Sequence, residues 1–373
     1  MVGPSNKTIK RKLLKASDPQ LNLLSGFVRS PKLTQDIAVA VPSPDLWVKK
    51  GEPKPTAVYD TYWKFASKRQ DVFFRRIKEG VGLRLTSDQI LSRFKFTNTY
   101  RASDRVSQYL IRHIIYKGSE MPEEVFFRTL LFKLFNKIET WELLEKELGP
   151  VSWNEFNFDR FNSVLTKAIE SGQRIYSAAY IMPSGRSAFG FERKHQNHLK
   201  LIEAMMEQRL ASRIVQLPTF KDVFELLLRS PGIGPFLAYQ YAIDLNYSEL
   251  INFSEDDFVV PGPGALSGIE KCFSSIGDYA PADVIRWVKD RQEIEFRRLN
   301  LDFQDLWGRH LHLIDCQNLF CETDKYARVA HPEFLGASGR TKIKQKYKAT
   351  PTEIDYFYPP KWGLNEKIQS ESD

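Results

Sequence analysis

Two apolar helical runs interrupted by Ser230-Pro231-Gly232-Ile233-Gly234 constrain this chain more than any other stretch. Leu226, Leu227 and Leu228 close the first run, and Phe236 to Leu245 form the second. Proline and two glycines force a tight reversal between them, because glycine reaches left-handed backbone angles that other residues avoid. The pattern reads as a helix, a hairpin and a helix over 222–246. N–H groups at the start of the second helix suit an anion, which makes Gly232 and Gly234 candidate phosphate-binding positions.

Asp256 and Asp257 follow Gly234 by 22 and 23 positions and precede the apolar run Phe258-Val259-Val260. Either is a candidate catalytic carboxylate, with Asp257 favoured over Asp256. Ser254-Glu255-Asp256-Asp257 also fits a helix-capping box, so a purely structural role stands beside the catalytic one. Pro261-Gly262-Pro263-Gly264-Ala265 comes next. Gly262 and Gly264 can form a backbone nest for a phosphate, or simply a bent connector. The spacing from hairpin to Asp resembles that of helix-hairpin-helix DNA glycosylases, whose catalytic Asp follows the hairpin at a similar distance.

The chain has 373 residues, enough for one large domain or two lobes with tails. Hydrophobic residues make up 42% and aromatics 13%, which supports a sizeable core and excludes wholesale disorder. A net charge of +8 favours a polyanionic partner such as double-stranded DNA. The three cysteines, Cys272, Cys316 and Cys321, have no C-x-x-C spacing, which argues for a reducing compartment and against a disulfide framework. No apolar run reaches membrane length, and the basic N-terminus lacks a following apolar segment. The expected setting is therefore cytoplasmic, or nuclear for a eukaryotic source, without a membrane partner.

Residues 1–52 read as a basic N-terminal arm, 53–331 as a helical catalytic domain and 332–373 as a basic C-terminal tail. Helices are predicted from Tyr59 to Gly80, after the cap Thr86-Ser87-Asp88, from Ser103-Asp104 through Ile115, and from Pro122 to Gly149. Val125, Phe126, Leu130, Phe132 and Leu134 surround the last of these, so it is expected to be buried on most sides. Further helical runs cover 281–299 and 305–329. Strand-type alternation is missing over any long stretch, and the expected class is all-α.

Several polar groups stand out. Arg75, Arg76 and Lys78, with Asn98, Arg101 and Arg105, suit phosphate recognition, although Arg75 and Arg105 also fit ordinary helix surfaces. His312, Asp315, Asn318, Glu322 and Lys325 recur at helical spacing and form one stripe among apolar neighbours. His310, His312, Cys316 and Cys321 fit no standard zinc spacing, so no metal is expected. Walker-type, Rossmann, G-x-S-x-G and H-E-x-x-H patterns are absent, and no cofactor is expected.

Together, FKFTNTYRASDRVSQYLI (94–111), FFRTLLFKLFNKIETW (126–141), RIYSAAYIMP (174–183), DDFVVPGPGALSGI (256–269) and HLIDCQNLFCETDKY (312–326) resemble the α-glutamyl/putrescinyl-thymine pyrophosphorylase family of amino acid:DNA transferases. Their helical domain is also described as the 5-hydroxymethyl-dU DNA kinase helical domain. The resemblance spans about 60–330 and implies a two-lobed, glycosylase-like helical fold, often phage-encoded to evade restriction. It implies thymine hypermodification, in which an amine (glycine, glutamate or putrescine) displaces pyrophosphate from 5-(diphosphooxymethyl)uracil in DNA. The base would be extruded from the stack, since a stacked base is out of reach. In that frame Asp257, or Asp256, would take or orient the amine proton. Arg101 and Arg105 would neutralise pyrophosphate, and Asn98, Asp315 and Asn318 would read uracil or amine. The alternatives are a glycosylase excising a modified pyrimidine and a non-catalytic DNA-binding module.

Overall fold

The computed structural model describes residues 51–80, 85–178, 182–349 and 354–372, with side chains described to 368. The expected arm at 1–52 lies almost wholly outside them. Helices dominate, as expected for an all-α chain, and the exception is a two-stranded antiparallel ribbon of Lys54–Pro55 with Phe273–Ser275. That ribbon pins the start of the domain to its middle, where Thr56 N donates to Cys272 O at 2.8 Å.

Helix ends follow local chemistry. Thr56 caps Ala57–Glu79 by accepting from Val58 N, and Gly80, at φ 79°, ends that helix. Asp88 caps Gln89–Arg93 through Ile90 N and Leu91 N, as its sequence position predicts. Pro122–Phe135 is buried around nearly its whole circumference, Arg128 and Lys133 included. The helix expected to continue to Gly149 breaks at Asn136, which adopts a left-handed conformation at φ 49° and accepts a hydrogen bond from Lys133 Nζ. A second helix, Ile138–Leu148, then starts.

Leu313–Ala330 is the central helix, packed against Ala57–Glu79, Pro263–Cys272 and Pro281–Asp290. Its approach to Pro263–Cys272 is close enough that a Cβ on Gly268 would lie 2.1 Å from Phe320 O. Phe220–Leu228 and Pro235–Asn246 pack on each other across the turn 229–234, in which Gly232 takes φ 75°. Residues 305–312, expected within a helix, instead make a tight turn. Trp307 and Gly308 have φ 52° and 93°, and Leu306 and Arg309 pair across them. The helix therefore begins only at Leu313.

Packing continues past the tail boundary drawn at residue 332. Tyr358 is wholly buried and its hydroxyl pairs with Ser103 Oγ at 2.8 Å. Tyr356 meets Phe73, Phe357 meets Tyr116, and Trp362 meets Tyr247. These aromatics cover apolar surface that the helices leave open, so the segment folds back onto the body.

Candidate active site

A cleft of about 610 Å³ opens between the end of Pro281–Asp290, the turn 307–312 and the C-terminal segment. Asp256 lies on its wall, held there by Arg286. That guanidinium donates to Asp256 O at 2.7 Å and to Asp257 O at 3.3 Å. Asp256 Oδ1 accepts from Leu313 N at the start of the central helix. Asp256 Oδ2 faces two nitrogen partners, Lys289 Nζ at 3.0 Å and His312 Nδ1 at 3.1 Å. Burial opposes ionisation of Asp256, but His312 and then Lys289 outweigh it and hold the carboxyl at about 2. The same pairing raises Lys289 against the effect of burial. The cap explains one oxygen of Asp256; the imidazole and ammonium on the other form an acid–base cluster at the cleft.

The neighbouring side chains are tightly placed. Gln292 pairs with both backbone groups of Leu311, at 3.1 and 2.9 Å, which fixes the segment carrying His310 and His312. Arg309 sits 3.6 Å from the centre of the Trp362 ring and donates to Glu255 Oε2 at 2.7 Å. Lys367 Nζ donates to Trp307 O at 2.8 Å. A C-terminal aromatic and a mid-chain turn thus form one wall.

The residues expected to bind substrate assemble elsewhere. Arg101 is buried and its guanidinium pairs with Asp244 at 2.9 Å, with further bonds to Gln240 and Tyr247. Lys133 approaches the other oxygen of Asp244 at 3.2 Å, and burial drives its amine down to about 8 against the pull of Asp244. Asn98 spends its side chain on Ser103 O. Asp315 accepts from Arg101 N and His312 N, and burial, then the charge of Glu255, lift its carboxyl to about 6. Asn318 donates to Thr97 Oγ1 and Asn98 O, Glu322 accepts from Thr97 N, and Lys325 donates to Lys95 O. Asp315, Asn318, Glu322 and Lys325 therefore hold the loop 95–101; of the polar stripe His312 lines the cleft, and Arg101 does not.

Arg105 is half-exposed, 3.9 Å from Glu139. Asp257 is exposed beside the cleft, and Asp256 is the member of the acidic pair that enters it. Gly232 and Gly234 occupy the turn between the paired helices. Gly262 abuts Phe236, where a Cβ would lie 2.8 Å from the ring, so both glycine-rich turns meet at the start of Pro235–Asn246. Gly264 packs on Cys321.

Sequence reasoning did not single out Lys289, Arg309 or Trp362 as site residues. His312 was visible only as a stripe member and a rejected zinc ligand. No local signal marks Lys289 or Trp362, because each reaches the cleft through tertiary packing alone.

A helical body with an ionised carboxylate, an imidazole and several cations around one cleft has the equipment for proton transfer beside an anionic group. Residues 56–336 match the model of the family described as 5-hmdU DNA kinase, helical domain, and the chain belongs to that family. It is also 24% identical over 337 residues to the 5-hmdU DNA kinase of Bacillus phage SP10. The alignment takes in 85% of this chain and 52% of the relative, so the chain spans about half the length of the curated relative it matches. No solved structure matches. Among the described residues, no helix is long and apolar enough to cross a membrane.

Proposed function

We propose that this chain is a DNA-modifying transferase in which an amine displaces pyrophosphate from the methylene of 5-(diphosphooxymethyl)uracil in double-stranded DNA. The donor is an amino acid such as glycine or glutamate, or a polyamine such as putrescine. The phage relative bears the name of an enzyme acting on 5-hmdU in DNA, which supports a thymine-derived base as substrate. The paired helices at 220–246 support a glycosylase-like, two-lobed fold that receives an extruded base.

The observation that carries this reading is the convergence of His312 and Lys289 on Asp256 in a cleft also lined by Arg309. Asp256 keeps the Nδ1–H tautomer of His312 oriented, which leaves Nε2 as the proton acceptor. An incoming ammonium passes a proton to that nitrogen, and its freed lone pair forms the C–N bond at the methylene. The C–O bond to pyrophosphate breaks, and the leaving oxygen's charge is met by Lys289 and Arg309. In this scheme Asp256, rather than Asp257, is the functional carboxylate, and Arg101 braces the interior.

A second reading has one observation in its favour. A carboxyl held near 2 stays ionised and suits stabilisation of positive charge at C1′ during base excision. Nucleoside mass analysis separates the two after incubation with DNA carrying 5-(diphosphooxymethyl)uracil and a pool of amino acids and polyamines. A nucleoside heavier by one amine, with released pyrophosphate, supports the transferase. Free base with abasic sites supports a glycosylase. Unaltered DNA defeats both and leaves a non-catalytic DNA-binding module.

A further inference from the structure

Arg340, Lys342, Lys344, Lys346 and Lys348 occupy alternate positions, and no acidic residue occurs between Glu333 and Glu353. All five side chains are exposed. Ile343, between two of them, is half-buried and packs against the core, while Thr341, Gln345 and Tyr347 are exposed. The segment is tied to the body at several points. Ser338 N and Oγ lie 3.4 and 3.2 Å from Ser267 Oγ, and Arg328 Nη1 donates to Lys342 O at 3.4 Å. Lys95 N donates to Gln345 O and Tyr347 N to Arg93 O, both at 3.0 Å, which pairs Lys346 with Phe94 in antiparallel register. Among the described residues, none of the five cations enters an ion pair.

We infer that residues 340–348 form a preorganised track for one phosphate backbone of the DNA that flanks the modified base, an inference that rests on the DNA reading above. In extended chain, alternate side chains share a face and repeat every ~6.6–6.8 Å, comparable to the step between successive phosphates of one strand. Ordinary basic tails lose entropy when they order on a polyanion. Here the backbone bonds to Arg93 and Lys95 have already fixed the register, so less is lost on binding. The matched family region ends at residue 336, so this track lies outside it. The same C-terminal segment goes on to supply Trp362 to the cleft wall, linking backbone contact to base placement.

The test is duplex-DNA affinity of the full chain over a range of salt concentrations, with Lys342, Lys344, Lys346 and Lys348 all changed to Gln. Wild type should show a linear fall of log affinity with log salt, and the variant a slope shallower by about 3–4, since each phosphate contact contributes about 0.9. A control chain carries Gln at the exposed Lys64, Lys117, Lys146 and Lys167, which removes equal charge from other surfaces. A shallower slope in the track variant alone supports the inference. Equal slopes in wild type and the track variant, or equal losses in track and control variants, overturn the track while leaving DNA binding intact. A wild-type chain that does not bind duplex DNA overturns the DNA reading and the track together.

Discussion

Asp256 Oδ2 lies 3.1 Å from Nδ1 of His312, and the two residues belong to segments that no local sequence pattern connects. Arg286 fixes the backbone of the first, and the pairing of Gln292 with Leu311 fixes the segment of the second. The pair is thus held from both sides, as an oriented proton acceptor requires.

Asp256→Asn should reduce turnover by about 10²–10⁴-fold, because Asn no longer orients a basic imidazole. Asp257→Asn should stay near wild type, since that side chain is exposed beside the cleft. Steady-state rates of the two variants, with DNA affinity measured in parallel, decide the assignment. Full activity of Asp256→Asn, or loss with Asp257→Asn alone, would reverse it.

Asp256 also couples stability to acid. Its carboxyl is held at about 2, below its ordinary 3.8, so its contribution is present above about pH 4 and is lost as pH falls toward 2. The shift corresponds to roughly 2 kcal/mol. Denaturant unfolding of wild type and Asp256→Asn should show a stability gap at pH 6 that has largely closed at pH 2. A gap independent of pH contradicts the ion-pair account.

Trp362→Ala should free the Arg309 guanidinium, removing a contact of roughly 0.5–2 kcal/mol, and slow pyrophosphate release. Trp362→Phe should restore much of the rate, because it keeps an aromatic face beneath the cation. Kinetics unchanged in the alanine variant would show that the stack does not position Arg309.

Asp244→Ala should cost about 3–5 kcal/mol, because it strands the buried cations Arg101 and Lys133. Unfolding free energies test this directly. A stable Asp244→Ala protein would mean that Arg101 and Lys133 find other partners and would reopen a ligand-binding role for Arg101.

Glycines should divide by geometry. Gly268→Ala would drive a methyl into Phe320 O and cost at least about 1–3 kcal/mol. Gly234→Ala meets nothing within 4 Å at φ −84° and should change stability by less than about 0.5 kcal/mol. The latter variant therefore reports on DNA affinity without confounding instability. Wild-type affinity in it would argue against backbone–phosphate approach at the hairpin.

Local chemistry accounts for what was legible in the chain by itself. Asp88, Pro122, Gly80 and the reversal at 230–234 act within a turn or two of their own positions, so helix starts and stops could be read directly. The buried circumference of Pro122–Phe135 was likewise written in its apolar residues. The stripe of Asp315, Asn318, Glu322 and Lys325 was visible too, because 3.6-residue periodicity puts these side chains on one face. What that face meets was not visible. Only packing brings it against the loop 95–101, so polar groups that resemble a substrate site serve as internal hydrogen-bond partners. The turn at Trp307–Gly308 also depends on a distant contact, since the Tyr100 hydroxyl bonds Leu306 N and Arg309 O across it and a bulky residue in left-handed backbone must be held from outside. The cleft is the extreme case. Asp256, Lys289, the pair Arg309 and His312, and Trp362 come from four separate segments, and periodicity carries no information about which segments meet. Chain order determined the helices and the basic character; the burial of apolar surface decided which charges face one another.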